Sequence, residues 1–236
     1  MKKVLFFIYA IIITQLLTAQ APAIEWQNTI GGNDYEYLYA VEQTTDGGYI
    51  LGGESRSELN GDKTEVNVGS TSSCDFWVVK ISLTGSIEWQ NTIGGTGQDH
   101  LYSIKQTSDG GYILGGNSTS GINGDKTEAY FGGSFYGDYW VIKLNSAGII
   151  EWQNTIGGPD EDKLKSIIQT NDGGYLLGGF SESGVGGDKT EPSNGLDDFW
   201  IIKLNSAGSI EWQNTIGGSG DDQVSVVLQN NDGNFI

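Results

Sequence analysis

One nonapeptide, Ile-Glu-Trp-Gln-Asn-Thr-Ile-Gly-Gly, occurs four times in this 236-residue chain, beginning at Ile24, Ile87, Ile150 and Ile210. Its tryptophans, Trp26, Trp89, Trp152 and Trp212, follow one another at steps of 63, 63 and 60 residues. A period of that size means one supersecondary unit that buries its apolar face only by stacking on copies of itself.

The second copy shows the plan of the unit. His100 to Gln106 reads as strand one, Ser108-Asp109-Gly110-Gly111 as a tight turn, and Tyr112 to Gly116 as strand two. Asp-Gly supplies the positive φ that such a turn needs. A long polar insert follows, then strand three from Tyr139 to Leu144, a turn at Asn145-Ser146-Ala147-Gly148, and strand four from Ile150 to Ile156. Strand three is nearly continuous in apolar residues, as in Phe76-Trp77-Val78-Val79, and so is expected to be covered on both faces. Strand four alternates. Ile150, Trp152 and Ile156 point one way, and Glu151, Gln153 and Thr155 are expected on a wet face. No stretch of the repeats has a helical apolar stripe. A four-stranded meander with this pattern predicts an all-β chain, a partial β-propeller of three complete blades plus incomplete flanking strands. A β-helix competes, but its coils are far shorter than 63 residues and lack two hairpins each.

Repeats are expected over 33–95, 96–158 and 159–218, with an incomplete blade over 219–236. Residues 24–30 read as a lone strand four, and residues 224–229 and 234–236 as strand one and the start of strand two. The expectation is a piece of a longer protein whose further blades would complete the ring.

The recurring tryptophans, with Trp77, Trp140 and Trp200 of strand three, read as packing residues that dock blade on blade, because one indole buries about 150–250 Å². A sugar-stacking platform is the alternative.

Residues 1–21 read as a secretory signal. Lys2 and Lys3 precede the apolar run Val4 to Ile13, and Ala19-Gln20-Ala21 supplies the small-residue cleavage pattern. Thr14 and Gln15 interrupt the run too early for a membrane span. Cleavage removes two positive charges from a formal −18, leaving −20. A surface this acidic repels nucleic acid and anionic lipid, and suits cations, basic partners or plain solubility. Cys74 is the only cysteine and His100 the only histidine. Each occurs in a single copy, so Cys74 reads as a bystander, and no histidine cage or Ser-His-Asp triad can recur per unit.

The strings Gly217-Gly218-Ser219-Gly220-Asp221-Asp222, Asp109-Gly110-Gly111-Tyr112-Ile113-Leu114-Gly115-Gly116 and Asp138-Tyr139-Trp140-Val141-Ile142-Lys143-Leu144 resemble secreted bacterial β-propeller repeat proteins of the seven-bladed repeat group. Residues 143–152 are similar to the tryptophan-docking stretch of quinoprotein propellers. The resemblance covers essentially everything after residue 21. It implies a secreted or cell-surface protein, often bearing a C-terminal sorting domain for type IX secretion. No such domain is present in this sequence, and the quinone cofactor is not carried over.

In a meander the one–two and three–four turns share one end, and the two–three inserts and four–one connections share the other. The second end carries the length and the acid, with Asp34, Glu36, Asp99, Asp160, Asp162, Asp221 and Asp222 in the four–one connections. Loops on a rigid scaffold commonly carry binding, so these residues mark a candidate binding face. The inserts repeat Gly-Asp-Lys-Thr-Glu, offering Asp62 and Glu65, Asp125 and Glu128, and Asp188 and Glu191 as candidate calcium ligands. A solvated acidic loop is the competing reading, since Lys63 and Lys126 oppose a cation. A glycosidase would need one pair of carboxylates at a set separation, whereas these acids recur in every blade. Asn117-Ser118-Thr119 matches a glycosylation acceptor and is taken as chance. The function expected is a non-catalytic extracellular scaffold or interaction module whose partner is a protein or a glycan. A carbohydrate-binding or carbohydrate-active protein is the alternative.

Overall fold

The computed structural model describes residues 22–70, 72–132 and 137–236. The expected signal segment, 1–21, lies outside the described residues. The described residues form twelve strands and no helix. The first blade is β1 (Glu36–Gln43), β2 (Tyr49–Ser55), β3 (Asp75–Ile81) and β4 (Ile87–Ile93). The second is β5 (Asp99–Gln106), β6 (Tyr112–Ser118), β7 (Asp138–Leu144) and β8 (Ile150–Ile156). The third is β9 (Asp162–Gln169), β10 (Tyr175–Ser181), β11 (Asp198–Leu204) and β12 (Ile210–Ile216). Each blade is an antiparallel meander in sequence order, so the chain is a partial β-propeller. No helix of the described residues is long and apolar enough to cross a membrane.

The strands run slightly beyond their expected limits. Strand one begins at the acid before His100, strand two reaches Ser118, and strand three begins at Asp138. The extra residues are small or acidic, so no apolar pattern marks them.

Blades stack through their flat faces. Ile50, Phe76 and Val78 of blade 1 form one core with Leu101, Leu114, Trp140 and Ile142 of blade 2. Ile113, Tyr139 and Val141 of blade 2 do the same with Leu164, Leu177, Trp200 and Ile202 of blade 3. This explains the unbroken apolar run of strand three, whose alternate residues face two different neighbours. It also explains the glycine pair within each strand two. A Cβ at Gly115 would lie 2.5 Å from Leu164 of the next blade, so only glycine lets the next strand one approach.

Two expectations change. The second face of strand four is wet only at its start: Glu151 is exposed as expected, but Gln153 is half-buried and Thr155 buried, because the two–three insert folds back over them. Residues 24–30 form no strand, and residues 224–236 hold one isolated bridge, between Gln229 and Phe235. A strand exists only through a hydrogen-bonded neighbour, and 24–30 has none. Asn28 nevertheless donates to the Gly85 carbonyl (2.9 Å), the contact that Asn91 makes to Gly148 one blade on (2.8 Å).

Candidate functional site

The tryptophans are the first candidates to locate. Trp89 belongs to blade 1, but its ring meets Tyr112 of blade 2 edge-on at 5.7 Å. It also covers Gly148, where a Cβ would come within 2.8 Å of the ring. Trp152 repeats this on Tyr175 and Gly208, and Trp26 on Tyr49 and Gly85. Trp212 meets Phe235 at 5.9 Å. In strand three, Trp140 packs on Phe76 of the preceding blade (5.0 Å) and Trp200 on Tyr139 (5.1 Å). The indole N–H groups of Trp77, Trp140 and Trp200 donate to Gln90, Gln153 and Gln213. Trp140 and Trp200 are fully buried, so neither offers a face to a sugar.

The turn end is a repeated fastener. Lys80, Lys143 and Lys203 run buried to the turn and pair with Asp46 and Glu88, Asp109 and Glu151, and Asp172 and Glu211, all at 2.9–3.1 Å. The Thr44 hydroxyl, the Gly48 N–H and Lys80 hold Asp46 down at about 2. Asp172 sits at about 2 for the same reasons, with Thr170 foremost.

The insert carboxylates are also fasteners. Glu65, Glu128 and Glu191 accept the N–H of Thr92, Thr155 and Thr215 on the outer strand. Asp62, Asp125 and Asp188 accept the N–H of Gly31, Gly94 and Gly157, whose carbonyls take the aspartate N–H in return. The lysine between them turns inward. Lys126 donates to Thr155 (2.5 Å) and lies 4.9 Å over Trp140, and Lys189 repeats this with Thr215 and Trp200. Burial pushes both lysines down to about 8. These six acids form no group of three cation ligands among the described residues.

Of the candidate binding-face acids, Asp34 and Asp221 are exposed and Asp160 half-exposed. Asp99 and Asp162 are wholly buried at the start of strand one, where they accept the N–H of Gly95 and Gly158. Glu36 and Asp222 do the same for Gly32 and Gly218. Each buried acid has a second beside it at the start of strand three, Asp75 near Asp99 and Asp138 near Asp162. Burial pushes Asp75 and Asp138 up to about 7 and Asp162 to about 6.

What remains free is the wall made by strand one. Tyr35, Tyr37 and Tyr39 are exposed and stack at 6.3 Å intervals. Tyr39 meets Tyr102 of blade 2 edge-on at 5.1 Å, and Tyr102 stacks against His100 at 6.2 Å. Lys165 of blade 3 lies 4.0 Å over Tyr102 and 5.5 Å over Phe180, which Lys163 also approaches. Beside this wall His100 Nδ1 meets Glu54 Oε2 at 2.5 Å and Cys74 Sγ at 3.5 Å. Burial alone would lower the imidazole, but Cys74 and Glu54 outweigh it and push it up to about 10. Cys74 is buried and also meets Gln98 Oε1 at 3.1 Å.

These residues escaped the sequence reading, yet a signal existed. With the copies superposed, Tyr37, His100 and Lys163 are equivalent, as are Tyr39, Tyr102 and Lys165, and Glu54, Asn117 and Phe180. The copies differ at these positions, as they do in the second half of the two–three insert. No protein-family model matches the chain, and no curated protein matches it.

Proposed function

We propose that this chain is a secreted or cell-surface propeller scaffold without catalytic activity, and that it binds an extracellular partner along the strand-one wall. The observation carrying this reading is the unbroken row from Tyr35 through Tyr39 and Tyr102 to Lys165, in which the equivalent positions are not all alike: Tyr37, His100 and Lys163 differ in every blade, and Lys165 replaces the tyrosine of Tyr39 and Tyr102. Identical copies would read a ligand identically three times, whereas this row can recognise one extended, asymmetric partner. The repeated carboxylates support the non-catalytic reading, because they are engaged by backbone N–H groups and buried lysines. The contact surface therefore moves from the acidic loops to the aromatic wall, beside which Asp34 precedes Tyr35. Secretion rests on the sequence of residues 1–21.

The tyrosine ladder favours a glycan as the second reading, since stacked rings present flat apolar faces to sugar C–H groups, with Lys165 beside Tyr102 placed for an acidic substituent. Glycan and extracellular-protein arrays probed with the full chain separate the two readings. Tyr37→Ala with Tyr39→Ala is expected to cut retention at least about tenfold while leaving the melting temperature within about 2 °C, because both rings are exposed. Retention unchanged by that pair would end the proposal.

A further inference from the structure

Glu54 is the last residue but one of β2, Cys74 precedes β3, and His100 follows the first residue of β5, so two blades contribute to one cluster. The carboxylate oxygen, the thiol sulfur and an imidazole nitrogen lie within 4.8 Å of one another, the only such trio among the described residues. We propose that Glu54, Cys74 and His100 bind one divalent transition-metal ion of the zinc type, bridging blades 1 and 2.

The donor set selects the class of metal. Thiolate and imidazole favour zinc-like ions and are poor ligands for calcium or magnesium. Distances agree. With metal–sulfur and metal–nitrogen bonds of about 2.3 and 2.0–2.1 Å, a tetrahedral centre separates sulfur from nitrogen by about 3.5 Å. Sγ and Nδ1 are 3.5 Å apart. Nitrogen and carboxylate oxygen need about 3.3 Å, against 2.5 Å across the present hydrogen bond. The ion thus takes the place of the hydrogen bond between His100 and Glu54, and the part-exposed imidazole both moves back and turns, because Sγ, 3.5 Å from Nδ1 and 4.0 Å from Nε2, lies over the ring rather than along the Nδ1 lone pair. Glu54 and Cys74 are buried while the His100 side chain is 27 % exposed, so the trio reaches solvent on the imidazole side, where water can supply a fourth ligand. Gln98 Oε1, 3.1 Å from Sγ, borders that position.

A cysteine–histidine–acid nucleophile fits less well. Sulfur and carboxylate approach the same Nδ1, and Nε2 lies 4.0 Å from sulfur, so the acid does not orient a ring whose other nitrogen takes the thiol proton. The cluster is also specific to one junction. The equivalent trio is Asn117, Gly137 and Lys163 at the next, and Phe180, Asp197 and Gln223 after that. Packing alone asks for none of the three ligands, since the neighbouring junction closes without them.

The test uses the full, untagged, reduced chain, stripped with a chelator and titrated with Co2+. The expected result is one equivalent bound, with a thiolate-to-cobalt absorption band and the visible bands of a four-coordinate ion, both displaced by Zn2+. Cys74→Ser should abolish the thiolate band. His100→Gln, at a part-exposed position that folding tolerates, should weaken zinc at least about tenfold in competition with a chromophoric chelator. Asp125→Asn, in the acidic insert, should change neither. A spectrum without the thiolate band, or equal zinc affinity in the chain and His100→Gln, overturns the site.

Discussion

The two described blade junctions are built alike and finished differently. Both seat a strand-three tryptophan on an aromatic of the preceding blade, at 5.0 Å for Phe76–Trp140 and 5.1 Å for Tyr139–Trp200. Both bring a strand-four tryptophan onto the next three–four turn. At their inner edge the first holds Glu54, Cys74 and His100, while the second holds Asn117, Gly137 and a lysine paired with Glu161 at 2.8 Å. The lesson is a division of labour. Apolar faces that must fit a copy of themselves vary little, whereas the strand-one positions of Tyr37, His100 and Lys163 lie outside those shared apolar cores and differ from copy to copy.

The largest effect should come from the shared part. Trp140→Ala empties a fully buried site and removes the Gln153 and Lys126 contacts, so it should cost about 3–5 kcal/mol in urea unfolding. Trp77→Ala should cost roughly half as much, because Trp77 lies in a smaller cluster beside an open groove lined by Leu38, Leu51 and Val79. Equal costs would break the claim that neighbouring blades set the value of this ring.

Next comes a pair of glycines. Gly47 and Gly148 both have positive φ, +87° and +79°, but a Cβ at Gly47 meets nothing within 4 Å, whereas at Gly148 it strikes Trp89. Gly47→Ala should cost about 1 kcal/mol of backbone strain. Gly148→Ala should cost about 2–4 kcal/mol, as strain and indole displacement combine.

A smaller effect concerns pH. Asp138 titrates near 4 when unfolded and about 7 when folded, burial outweighing the Phe131 N–H that it accepts. The folded chain therefore holds more protons between these values. Its stability is complete below about pH 4 and declines as pH rises through 7. Asp75 behaves alike, and Asp162, Lys126 and Asp188 face Asp138. Opposing this, Asp46 and Asp172 lose their stabilisation only as pH falls from about 4 through 2. The melting temperature should thus rise by a few degrees from pH 7.5 to 5, and Asp138→Asn should flatten that rise. The smallest effect is Asn154→Ala, which removes one bond to the Gly208 carbonyl and should cost about 1 kcal/mol by the same unfolding measurement.

Much of the scaffold was legible in the chain. Ile150–Ile156 appears as a strand with the limits the sequence predicts, and Asp109-Gly110 makes its turn with Gly110 at φ +83°. Thr155 was misread because alternation within a strand does not reveal that Lys126, 29 residues earlier, will return to cover it. Asp99 and Asp162 were misread for a related reason. A carboxylate in a polar loop looks solvated until the backbone N–H groups that it caps are seen to enclose it.

By itself the sequence determined the period, the four strands per unit and the places where the chain turns, because alternation and positive-φ glycines act over a few residues. Only the tertiary structure decided what meets at the blade edges. Glu54 and His100 stand 46 residues apart, and Cys74 and His100 stand 26 apart. Stacking one rigid sheet on the next closes those distances, and no local pattern encodes where two flat faces come to rest.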